Sequence, residues 1–132
     1  MTGPEREKEL LRTFAVASKR DRYIELLGTL KGRAKVRLGL DHFGDLDLQR
    51  CAKVAAADQT PAGVAALLRT LGAPPTCYVL SSNSAFDGRE MQLGDALEAI
   101  VGQGSGSFVC CVPGRLAYFE GESPGERYIC RR

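Results

Sequence analysis

Between residues 77 and 130, four short apolar runs, one helix-spaced stretch and two tight reversals constrain the fold more than any other part of the chain. Cys77–Ser81 and Phe108–Val112 are continuous β-prone runs, and Leu93, Ala96, Leu97 and Ile100 recur at helical spacing within Leu93–Val101. Pro113-Gly114 turns the chain into Leu116–Glu120, and Glu122-Ser123-Pro124-Gly125 reverses it again before Arg127–Cys130. Strands joined by tight turns run antiparallel. The expectation is therefore a β-α-β-β-β arrangement: a three-stranded meander, with Cys77–Ser81 at one edge and the helices on one face.

The first half reads as helices. Thr2 or Gly3 caps the first, Pro4 suits its opening turn, and Glu5, Glu7 and Glu9 complement its positive end. Ser18-Lys19-Arg20-Asp21 has the form of a capping box for a second helix that buries Tyr23, Ile24 and Leu27 and stops at Gly28. Lys31–Phe43 fits both a strand and a helix template. The helix is preferred because Thr29 offers a cap, the links are short and Gly44 can close it. Asp47 is expected to cap a short helix over Gln49–Ala56. Thr60-Pro61 opens another through Leu71, with Val64, Leu67, Leu68 and Leu71 on one face. Ala73-Pro74-Pro75 is too short a break to separate domains. The reading is one α+β domain over 1–132, with N-terminal helices (1–72 mainly helical) packed on a small, mainly antiparallel sheet (76–131).

A chain of 132 residues that is 44% apolar can build a core without staples. Its net charge of +2 argues for neither nucleic acid nor membrane. Five cysteines, with no C-x-x-C pair, read as buried reduced thiols. Met1-Thr2-Gly3-Pro4-Glu5 has no secretory pattern and no run has membrane-spanning length, so a cytoplasmic protein that binds no membrane is expected.

Three places carry chemistry-bearing side chains. Asp41-His42-Phe43-Gly44-Asp45-Leu46-Asp47 gathers three carboxylates and an imidazole within seven residues, and His42 and Asp45 share a face if a helix runs through Gly44. The spacing matches neither an EF-hand nor H-E-x-x-H, so a helix end is the preferred reading. Ser82, Asn83, Asp87 and Arg89 lie in a strand-to-helix loop. That loop lacks the G-x-S-x-G of a nucleophile elbow and carries acids beside the helix start. It reads as a turn held by its own side chains. Gly102–Ser107 has the composition of a phosphate loop in the wrong order, since its glycines follow a helix and precede a strand. It reads as a helix cap and flexible connection, with a flap over a site as the alternative.

Lys31, Arg33, Lys35 and Arg37 form the one basic cluster. As a helix they split into two i, i+4 pairs, and no aromatic residues interleave for base stacking. Cys110 and Cys111 lie mid-strand with nothing to activate a thiolate. No catalytic or cofactor motif emerges, so no cofactor is expected. The leading expectation is a non-catalytic module that binds another protein through a helix face or a sheet edge. A homodimer through Phe108–Val112 is one form of it, should that strand lie at an edge. The alternatives are a small ligand-binding domain or enzyme using the Ser82–Arg89 loop, and a weak nucleic-acid binder using Lys31–Arg37.

Overall fold

The structure, a computed structural model, describes residues 1–132. Helix α1 (Gly3–Phe14) begins at a complete capping box. The Thr2 hydroxyl accepts from the Glu5 amide, and the Glu5 carboxylate accepts from the Thr2 amide. Helix α2 (Arg20–Leu27) has no such start. A 3₁₀ turn at Ala17–Lys19 leads into it, and the box expected at Ser18 does not form. Thr29 caps α3 (Leu30–Gly39), which settles the ambiguous stretch as helix. Regular helix ends at Gly39 and a 3₁₀ turn continues over Leu40–His42, so the helix never reaches Gly44.

The helix expected over Gln49–Ala56 is instead strand β1 (Cys51–Lys53), and Asp47 caps only the amide of Gln49. After α4 (Pro61–Thr70), capped by Thr60, come β2 (Thr76–Ser81), β3 (Glu90–Gln92), α5 (Leu93–Ile100), β4 (Ser107–Val112), β5 (Leu116–Glu120) and β6 (Arg127–Arg131). Sequence reading passed over β3, and β1 draws the first half of the chain into the sheet. The fold is α+β, with an antiparallel six-stranded sheet in the order β1-β6-β5-β4-β2-β3. The edges are β1 and β3. Strand β2 lies inside the sheet, and β4 is flanked by β2 and β5, so Phe108–Val112 offers no free edge for a dimer.

Helices cover both faces, not one, and the strand sequences say why. A run that is apolar at every position must be buried on both sides. In β2 and β4, Val79 faces Val109 across the ladder, while Tyr78 pairs with Cys110 and Leu80 with Phe108. Val79, Val109, Cys77 and Cys111 pack under α4 and α5 with Val64, Leu68, Leu93 and Leu97. Leu80, Phe108, Cys110 and Phe119 pack under α1–α3 with Leu10, Leu11, Phe14 and Val36. The rings of Phe108 and Phe119 meet at a tilt of 51° with 4.7 Å between centroids, and both are wholly buried. No helix is long and apolar enough to cross a membrane.

All five cysteines are free and buried. Burial pushes the Cys110 thiol up to about 11 and the Cys77 thiol up to about 12, so almost none of either is thiolate at neutral pH. A thiol-labelling reagent such as Ellman's is expected to modify none of the five in the native protein and all five in denaturant. Rapid native labelling of any one would contradict this packing.

Candidate functional site

Strand β2 ends at Ser81 where β4 begins at Ser107, so the two loops flagged in the sequence meet at one end of the sheet. The Ser82 amide donates to the Gly106 carbonyl at 2.9 Å, and the hydroxyls of Ser81 and Ser107 lie 2.7 Å apart. The turn after α3 closes over both loops. Asp41 accepts from the Ser82 hydroxyl at 2.5 Å and from the Gly106 amide at 2.7 Å. Gly106 is required here, since a Cβ would sit 2.1 Å from the Leu40 carbonyl carbon.

Burial alone would raise the pKa of Asp41. The hydrogen bonds from Ser82 and Gly106, with His42 nearby, outweigh it and hold the carboxyl below its ordinary 3.8. A folded pKa below the unfolded one gives stability that is present above 3.8 and lost as pH falls through the folded value. Asp41→Asn is therefore expected to destabilise the protein at neutral pH, with the gap to wild type narrowing in acid. Urea melts across that range test it, and a gap that widens in acid would refute it.

The remaining flagged side chains are also in use. Asp87 accepts from the Ser81 amide at 3.0 Å and from both terminal nitrogens of Arg33 at 2.8 and 3.1 Å. Asn83 accepts from the Ala85 amide, an Asx turn, and Arg89 donates to the Ala85 carbonyl at 3.2 Å. Asp45 turns away from this cluster and accepts from the Tyr23 hydroxyl. His42 is 81% exposed, with Nδ1 3.2 Å from Glu122. Ser82 thus hydrogen-bonds a carboxylate, and His42 stands apart from it. His42, Asp41 and Asp45 do not converge on a point where an ion could sit.

The basic cluster divides by helix face. Arg33 turns inward, donating Nε to Glu7 at 2.9 Å as well as binding Asp87, and Arg37 donates to the Ser82 carbonyl at 2.7 Å. Lys31 and Lys35 face outward.

Gly102–Ser107 does close its amides on an anion, and the anion belongs to the protein. Gly102 donates to both oxygens of Glu120 at 3.0 and 3.1 Å, and Gly104 donates at 3.2 Å. Both glycines have the positive φ that lets successive amides converge, +84° and +76°. Glu120 is wholly buried and also accepts from the Tyr118 hydroxyl at 2.8 Å. Arg127 Nε lies 3.3 Å from it, near enough for charge but not aligned as a hydrogen bond. Burial, and then the carboxylate beside it, push the Tyr118 hydroxyl far up, so it remains a donor. The loop expected to be flexible is thus pinned by a buried charge.

The open surface lies at the other side of the molecule. Helix α4 puts Val64 and Leu68 into the core, while Leu67 is half-buried and Leu71 is 38% exposed. The four residues expected on one face therefore divide between two. Gly63, Ala66, Leu67, Thr70 and Leu71 instead wall a groove of about 810 Å³ whose floor is Ala52 and Ile129 of the paired strands β1 and β6. Leu48, 67% exposed, stands at its end. The sequence pattern does not reveal this groove, because its floor strand reads as helix and Leu71 as core. The only local signal was the surplus of apolar residues on α4, more than one face can bury. No family model, curated protein or solved structure matches this chain.

Proposed function

We propose that this protein is a non-catalytic protein-interaction module that binds its partner in the groove between β1 and α4. The observation that carries the reading is the uncovered strip of sheet there. Two short helices leave the β1–β6 end of their face open, and Leu48 and Leu71 stand exposed beside it. Exposed apolar residues gathered around a concavity of this size are the usual mark of a binding surface. The thiols, unpaired and buried, suit a reducing cytoplasmic setting.

The reading that places a small ligand or a reaction at the Ser82–Arg89 loop has the meeting of the two loops in its favour. Against it stands the use of those side chains, since Ser82, Asp41 and Asp87 already hold the loops together. Nucleic-acid binding through Lys31–Arg37 loses half its cations to internal partners.

Selection of a random peptide library against the native protein tests the proposal. Enriched peptides are expected to lose at least about tenfold in affinity on Leu48→Asp or Leu71→Asp, as for the centre of an interface. Both positions are exposed, so both variants should fold. Binders unaffected by either change, but lost on His42→Ala, would overturn it in favour of the loop cluster.

A further inference from the structure

Resting on the groove reading, we infer that the occupant is an extended acidic segment of another protein, added as a strand along the free edge of β1. The backbone comes first. The Val54 amide donates to the Arg127 carbonyl and the Arg131 amide to the Arg50 carbonyl, each at 2.9 Å. In an antiparallel ladder, these bonds direct the polar groups of residues 50, 52 and 54 toward β6, and those of Cys51 and Lys53 toward the free edge. The Cys51 amide is taken by the Asp47 carbonyl at 3.1 Å. The Cys51 carbonyl and both the amide and carbonyl of Lys53 remain for an incoming chain. Only an extended segment presents matching groups at that spacing.

The side chains set its composition. Ala52 pairs with Ile129 on the α4 face, so Lys53, its neighbour in the strand, points to the opposite face. A residue directly across an added ladder shares the face of the residue it meets. The residue meeting Lys53 is therefore an acid, and the residues on either side of it are apolar and turn toward Leu67 and Leu71. Arg131 on the groove face and Lys53 on the other have no carboxylate partner, whereas Arg50 is held by the Thr13 carbonyl and Asp47. Asp58 is the only acid lining the groove.

The same charges argue against a second copy of this chain. Pairing β1 with β1 would put two Lys53 and no acid on a ladder of three residues, and like charges across a ladder destabilise it.

The test is a backbone-amide NMR titration of the whole protein with three blocked peptides of alternating sequence. One alternates Val with Asp and Glu, one replaces the acids by Lys, and one replaces them by Ser and Thr. The acidic peptide is expected to shift the amides of Cys51–Lys53 and of Leu67–Leu71, and to bind at least about tenfold more tightly than the Lys peptide. Lys53→Glu, an exposed change, should reverse that order. Equal binding of the neutral and acidic peptides in the groove would overturn the acidic occupant and leave the groove reading standing. Self-association abolished by Lys53→Glu would overturn it in favour of a second copy. Failure of all three peptides to perturb the groove would take the groove reading down with it.

Discussion

Replacing Glu120 by alanine is expected to lower stability by about 3–5 kcal/mol, the range for breaking a buried ion pair. The side chain is fully buried, and its loss leaves the amides of Gly102 and Gly104 and the Tyr118 hydroxyl without their shared acceptor, and Arg127 without its counter-charge. An unsatisfied buried donor is penalised far more than a satisfied one is rewarded. Glu120→Gln keeps the shape and one acceptor oxygen, so its loss should be smaller. Urea melts of the two variants decide the matter. A cost below about 1 kcal/mol for alanine, the scale of an exposed pair, would mean that the carboxylate is solvated. Arg127→Ala in the Glu120→Ala background should add little, because the two act as one unit.

The second large effect is at Glu7, which is 2% exposed in the second turn of the amphipathic helix α1. Arg33 grips it through two nitrogens at 2.9 and 2.8 Å, and the Tyr78 hydroxyl donates to it at 2.5 Å. Glu7→Ala is expected to cost about 3 kcal/mol, the lower end of the same range, because Asp87 still neutralises Arg33. The damage should spread. Arg33 joins α1 through Glu7 to the 82–89 loop through Asp87, so amide exchange in that loop should rise in the variant. Unchanged exchange there would separate the loop from the helical layer.

Glu7 and Glu120 also show where sequence reading stopped. By sequence, Glu7 reads as a helix-dipole residue and Glu120 as the last position of a strand. Both readings are locally sound. Their burial depends on partners far along the chain, which periodicity does not encode. Four strands are legible: β2, β4 and β5 announce themselves by their apolar runs, and β6 by the reversal at Glu122–Gly125 that precedes Arg127–Cys130. That the same runs need cover on both sides was also written there, in Cys77–Ser81 and Phe108–Val112, though it was read as one-sided. β1 and β3 hold only three residues each and exist through pairing, β1 with the last strand of the chain. No window of sequence contains that pairing.

The candidate site divides in the same way. Serines, Asn83 and Asp87 were legible as a loop that bonds its own backbone, a property of those residue types in any fold. The groove was not legible, because it is made by what fails to cover the sheet. Gly102–Ser107 lies between: its composition signalled an anion cradle, and the anion proved to be Glu120.

The most direct test of the account is backbone-amide mapping of the tightest peptide recovered from library selection. Shifts are expected only at residues 48–55, 63–71, 129 and 131, with the Lys53 amide among the largest. Shifts centred on Asp41, His42 and the Ser82–Arg89 loop would contradict it and return the function to the loop cluster.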